Sequence, residues 1–302
     1  MATPKQKYIR QLNSIANRYG KMEDETVKRI LSMLKGLRGE IAGTLTRIPT
    51  DKFESFRLGQ LRAEINNLIS QFERKLNSEV SSAIAEAQNH GAQAVVEPLS
   101  ELGELDEVDI PPSLAVQGQF FRPVAAQANV ALDYSADLIQ FSEDLAKSIV
   151  EPMRAKLNRE LQLAVLGRKS PFDVMVAVTN ILGVEARAKV WAKRPDPVKG
   201  VAARAETDVR TELQRMYNLS HLSQQRQVKE LVPGLLKTWI ATGDMRTRKS
   251  HLVAHLTYRN NPIPVDQPFI LKVTKGKNKG RKFKMMYPTD PAGPPELVIN
   301  CR

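Results

Sequence analysis

No proline interrupts residues 52–93. Along that stretch the apolar residues Leu58, Leu61, Ile65, Leu68, Phe72, Leu76, Val80, Ile84 and Ala87 recur at mixed steps of three and four. That spacing puts them on one face of an α-helix. A helix of roughly 40 residues is about 60 Å long at 1.5 Å per residue, more than an ordinary domain is wide. Such an element belongs in a helical bundle, or reaches across to a partner subunit. Its apolar seam reads first as core. Ile48-Pro49-Thr50-Asp51 is a turn ahead of it with Asp51 suited to the N-cap, and Gly91 is expected to end it.

Helical periodicity extends to both sides. Residues 5–47 read as two helices, with Tyr8, Ile9, Leu12, Ile15 and Tyr19 on the first, a break at Gly20, and Val27, Ile30, Leu31, Leu34, Leu37, Ile41 and Leu45 on the second. Residues 97–131 read as an irregular connection: Glu97, Glu101, Glu104, Asp106, Glu107 and Asp109 form an acidic run that ends at Pro111-Pro112. The helical pattern returns from Leu132 to Leu166, where Pro152 kinks or splits it. Gly167, Ser170 and Pro171 then carry the stop, cap and first-position signals of a short helix that ends at Leu182-Gly183. A further helix covers about 185–228, with an interruption at Pro195-Asp196-Pro197.

Past Pro233-Gly234 the pattern changes. Short β-branched or aromatic segments, Leu236–Ala241, Pro268–Thr274, Lys282–Met286 and Glu296–Asn300, are bounded by Gly, Pro, Asn and Asp. They predict a small antiparallel sheet, with a short helix at about Met245–Leu256. The expected fold class is therefore α+β, mostly α. An elongated helical N-terminal body precedes a small C-terminal domain of short antiparallel strands and a short helix. The expected segments are 1–130, with the very long helix and the acidic connection; 131–230, a helical lead-in; and 231–302, the compact α+β part.

With 302 residues, 42% of them hydrophobic and 26% charged, the composition is that of a soluble globular chain with ample apolar surface for a core. No apolar run approaches the roughly 20 residues that span a bilayer. The N-terminus lacks the apolar stretch of a signal peptide, so the protein is expected to stay in the compartment where it is made. Cys301 is the single cysteine, which rules out an internal disulfide and fits a reducing cytoplasm.

The net charge is +12, and it is unevenly spread: from residue 231 onward thirteen basic residues face four acidic ones, an excess of nine. The densest part holds Lys272, Lys275, Lys277, Lys279, Arg281, Lys282 and Lys284, interleaved with Gly276 and Gly280. This reads as a flexible cationic tip between two strands. Lysines on a loop suit phosphates as point charges without reading bases. Phe283 is the one aromatic within the run, so stacking on single strands has little support. The pattern points to non-specific contact with double-stranded DNA. A solvated hairpin, or one covered by an acidic protein, fits the same residues.

The last quarter also carries Trp239, Asp244, Arg246, Arg248, His251, Phe269, then Tyr287-Pro288-Thr289-Asp290-Pro291, and Asn300-Cys301-Arg302. Ahead of it stand Gly167-x-x-Ser170-x-x-Asp173-Val174 and Arg204-Ala205-Glu206-Thr207. In this order and spacing, over roughly 165–302, the chain resembles the phage Mu F-like head morphogenesis family, the minor capsid proteins of tailed phages. Two features depart from the family's pattern: no second cysteine follows Cys301, and Lys272–Lys284 is an unusually basic excursion. The resemblance implies a virion protein inside the head near the portal vertex, made in the host cytoplasm. The implied partners are the portal protein, the major capsid or scaffolding protein and packaged DNA, with no membrane during assembly. It implies effects on head assembly, DNA packaging or delivery, and neither a catalytic residue nor a cofactor.

The His–Asp–Arg cluster has several readings. His251 hydrogen-bonding to Asp244 or Asp290, with Arg246 and Arg248 paired to the same carboxylates, makes a structural brace. His251 and His255, four apart, could join Cys301 on zinc, but no fourth ligand is evident and Leu252 stands where a metalloprotease helix needs Glu. Asp244, His251 and Asp290 could hold a metal and activate water, as in a nuclease or toxin, although no second carboxylate cluster accompanies them. The brace is the favoured reading, in a protein that is not an enzyme.

Overall fold

The computed structural model describes residues 3–47, 55–103, 130–165, 169, 171–183, 200–231, 234–243 and 247–299. It is mostly helical with a small mixed C-terminal part, the α+β class expected. Among the described residues five helices come first: α1 (Pro4–Thr46), α2 (Ser55–Gly103), α3 (Val130–Val165), α4 (Pro171–Leu182) and α5 (Val201–Leu231). Then follow β1 (Leu236–Lys237), α6 (Lys249–Asn260), β2 (Ile263–Pro264), β3 (Phe269–Lys272), β4 (Lys282–Met285) and the single turn α7 (Pro295–Val298). The chain forms two compact units, one from Asp24–Ser82 and Ile139–Val209, the other from Met1–Glu23, Ala83–Leu138 and Arg210–Arg302.

Among the described residues the elements of the first unit are helices. Val27, Ile30, Leu34, Leu37, Ile41 and Leu45 of α1 are buried, as are Leu61, Ile65, Ile69, Phe72, Leu76 and Val80 of α2 and Leu145, Ile149, Met153, Leu157 and Leu161 of α3. Each such side chain contributes about 1.5–3 kcal/mol on burial, so the seams are core. In α2 the fully buried position is Ile69, while Leu68 is half-buried. Arg154 pairs with Glu73 at 2.5 Å, and Arg29 with Glu79 at 2.6 Å. Pro152 lies within α3, which continues past it without a split. Pro171 opens α4 and Gly183, at φ 69°, closes it, as the local signals require.

Two glycines expected to stop helices lie inside them. Gly20 does not break α1, which runs unbroken from Pro4 to Thr46. Tyr19 and Met22 beside it are buried, and that packing outweighs the roughly 1 kcal/mol that glycine costs in a helix. Gly91 does not end α2. It faces α5 so closely that a Cβ there would lie 2.1 Å from the Tyr217 carbonyl oxygen. Its missing side chain serves helix packing, and Ala83, Ala87 and Ala94 extend the same small surface. Beyond it Val95 and Pro98 are buried, so α2 covers Glu97 and Glu101, both expected in an irregular connection. Glu97 pairs with Arg18 at 2.6 Å. The rest of the acidic run, 104–129, lies outside the described residues, as do Asp51 and the Pro195-Asp196-Pro197 interruption.

The second unit holds a buried polar layer. Tyr19 packs on Tyr217 with ring centroids 4.6 Å apart, and Arg210 pairs with Glu23 at 2.7 Å with both side chains nearly excluded from solvent. Its C-terminal part has a separate core of Trp239, Ala254, Phe269, Leu271, Val273, Met285, Leu297 and Val298. Two antiparallel pairs frame it, Leu236↔Pro264 and Lys237↔Ile263 in β1–β2, and Phe269↔Met285 through Lys272↔Lys282 in β3–β4. The expected single sheet is thus two two-stranded ones. The expected last strand, Glu296–Asn300, is instead the turn α7, because Pro294 and Pro295 suit a helix start and lack the N–H a strand would donate. The expected helix begins four residues late, at Lys249.

Candidate functional site

The basic segment is a β-hairpin with a defined end. In β3, Phe269 and Leu271 turn inward while Ile270 and Lys272 are exposed; in β4, Met285 is buried and Lys282 and Lys284 are exposed. Alternation along a pleated strand produces this split. Val273 donates its N–H to the Arg281 carbonyl (2.9 Å) and accepts from the Gly280 N–H (2.8 Å). Two residues thus oppose one, with Gly280 at φ 89°, which is a G1 bulge. Gly276-Lys277-Asn278-Lys279 then closes as a turn, Lys279 donating to the Gly276 carbonyl at 3.2 Å.

The tip is tied down, contrary to the flexible loop expected. Asn278 donates to Glu296 from its backbone (3.3 Å) and its side chain (3.3 and 3.4 Å). A Cβ on Gly276 would sit 2.8 Å from Glu296 Cγ and displace that side chain, and its φ of 90° also favours glycine. Hydrogen bonds from the Glu296 backbone first, and from Asn278 next, hold the Glu296 carboxyl below its ordinary pKa. All seven basic residues, Lys272, Lys275, Lys277, Lys279, Arg281, Lys282 and Lys284, are exposed. Arg281 lies 5.5 Å from the Phe283 ring centre.

Behind the hairpin stands the signature cluster. Trp239 meets Phe269 edge-on at 5.2 Å and His251 at 5.5 Å. The His251 ring hydrogen-bonds to the Leu297 backbone, and its pKa falls to about 4, chiefly because burial disfavours the imidazolium and secondly because Arg248 is near. Arg248 donates to the Ile299 carbonyl. Asp290, 7% exposed, accepts the Met286 N–H at 2.6 Å and the Ala292 N–H at 2.9 Å. The expected pairing of Asp290 with His251 or Arg248 is thus replaced by backbone amides. Pro288 and Pro291 bracket this turn, in which Thr289 is buried at φ 67°, a strained value for a β-branched residue. Asp244, Arg246, Asn300 and Cys301 lie outside the described residues. His255 Nδ1 faces the Trp239 carbonyl (3.2 Å) and the Ala241 N–H (3.4 Å).

Four contributors escaped sequence reading. Asn218 of α5 donates to the Pro288 carbonyl at 3.0 Å, and Arg215 to the Thr289 carbonyl at 3.2 Å, which together hold the strained turn. Lys237 is 5% exposed, with Nζ 4.8 Å over Phe269 and donating to the Met286 carbonyl at 2.9 Å. Burial, then repulsion from Arg226, lowers its pKa to about 8 against the pull of Asp266 and Asp290. Glu296 carried the one legible hint, as an isolated acid in a basic segment. Comparison with family models, curated proteins and solved structures found no match to this chain.

Proposed function

We propose that this chain is a non-enzymatic minor capsid protein of a tailed phage, associated with the portal vertex inside the head, that contacts packaged DNA through its basic hairpin. The observation that carries the DNA part is the hairpin itself. Seven exposed cations stand on an ordered scaffold, and none forms an ion pair among the described residues. Such a field attracts polyanions and gives salt-sensitive, sequence-independent binding. The capsid part rests on the resemblance of the Trp239–Arg302 motifs to the Mu F-like family. Weak contact suits the role, since tight binding would impede DNA transit. The helices, with ample surface for protein contacts, are the candidate docking body for the portal and for the major capsid or scaffolding protein.

A structural adaptor that never touches DNA is the second reading. One observation favours it: the tip already seats a carboxylate, that of Glu296, on Asn278. The enzyme reading has less behind it: Asp290 accepts a backbone amide on each oxygen, which gives it a structural role in the turn. The test compares binding of the full chain to duplex DNA and to the portal protein of the same phage across a salt series. DNA affinity that falls steeply with salt supports the proposal. Salt-sensitive portal binding without measurable DNA affinity would establish the adaptor instead.

A further inference from the structure

We propose that duplex DNA lies against the outer face of the β3–β4 ribbon, on Lys272, Lys282 and Lys284 around Ile270, and not against the tip of the hairpin. This rests on the DNA reading above and specifies its contact surface.

The strand register carries the inference. Ile270 sends its N–H away from β4, to the Tyr258 hydroxyl at 2.7 Å. In an antiparallel pair such a residue belongs to a non-hydrogen-bonded position, where facing side chains come closest. Ile270↔Lys284 and Lys272↔Lys282 are therefore the two close pairs. Lys272 and Lys282 set two ammonium groups opposite each other, an arrangement that is destabilising by itself. An anion placed between them removes the repulsion. Among the described residues no carboxylate does so.

The same alternation points the backbone N–H groups of Lys282 and Lys284 outward along the free edge of β4. Neither has a hydrogen-bond partner among the described residues. Each lysine thus presents an ammonium group beside a backbone donor, the two kinds of group that bind phosphate oxygens. The other sides are closed. The inner face is core, and the edge of β3 is covered by α6 through Tyr258 at Ile270 and Ser250 at Thr274. The tip lysines differ, because the Glu296 carboxylate is seated among them.

A two-stranded ribbon fits the major groove of B-DNA, and this one would enter with a lysine-rimmed face. Ile270, 52% exposed at its centre, offers an apolar contact and no donor or acceptor. The face is thus built for phosphates without a base code.

The test uses the full chain and a short mixed-sequence duplex, with affinity followed from about 50 to 200 mM salt. Two variants are compared: K272Q/K282Q/K284Q on the face and K275Q/K277Q/K279Q on the tip. Three lost phosphate contacts lower the slope of log K against log salt by about 2 to 3, and affinity near 0.1 M salt by roughly 100-fold or more. That result is expected for the face variant, with the tip variant retaining most of the wild-type slope. Relief of the Lys272–Lys282 repulsion should leave the face variant at least as thermally stable as wild type, which excludes unfolding as the cause. A larger loss in the tip variant, or equal losses in both, would overturn the face assignment while leaving the DNA reading intact. Binding by wild type that neither variant weakens would overturn both.

Discussion

Replacing Gly91 by alanine tests the packing of α2 on α5. A Cβ built there lies 2.1 Å from the Tyr217 carbonyl oxygen, 3.0 Å from its carbonyl carbon and 3.1 Å from Ser220 Cβ. The nearest atoms are helix backbone, so relief requires α5 to shift rather than one side chain to rotate. Overpacking of this kind costs about 1–3 kcal/mol, occasionally more. Against it stands the gain of roughly 1 kcal/mol from alanine over glycine in a helix interior. The net expectation is a loss of up to about 2 kcal/mol, or more if α5 resists. The Tyr19–Tyr217 contact and the Ser220 to Gln88 bond (2.8 Å) would loosen as well. Gly20→Ala is the internal control: it lies in the same unit, in a helix, with nothing within 4 Å of a built Cβ. It should stabilise by up to about 1 kcal/mol. Urea unfolding of the full-length variants, followed by circular dichroism, compares the two. If Gly91→Ala raised the midpoint as much as Gly20→Ala does, the close approach of α2 and α5 would be wrong.

Asp290→Ala leaves the Met286 and Ala292 N–H groups without their acceptor. Both bonds are part-buried, so a total destabilisation of about 1–3 kcal/mol is expected in thermal melts, and no metal-dependent activity should be lost with it. Lys237 gives a pH signature. Its pKa is about 8 in the folded protein against 10.5 in the unfolded one, so between those values the unfolded chain binds more protons and stability attributable to this residue rises with pH. Lys237→Met should remove that upward component, seen as a flatter difference in melting midpoint between pH 8 and pH 10. Asn218→Ala should cost about 1–2 kcal/mol by freeing the Pro288 carbonyl and the strained Thr289 backbone, and Thr289→Gly should recover part of that loss in the double variant.

Helix content, the apolar seams and the basic hairpin were legible because each follows from local spacing. Leu61, Ile65, Phe72, Leu76 and Val80 occupy the core simply because they share a helical face. The lysines of 272–284 are exposed because burying so many charges would cost far more than any contact there returns. Both facts need only residue type and period. Tertiary contacts decided the rest. Gly20 and Gly91 look alike in sequence and both lie inside helices, yet one meets open space and the other a carbonyl of α5. Asp290 was expected to serve side chains, but the turn presented two backbone amides nearer at hand. A lysine- and glycine-rich tip reads as loose, yet Glu296, eighteen residues beyond Asn278, holds it. Periodicity is a property of neighbours along the chain, so it can be read one segment at a time. The partners of a glycine, a buried carboxylate or a loop tip come from distant segments, and they exist only once the chain has folded.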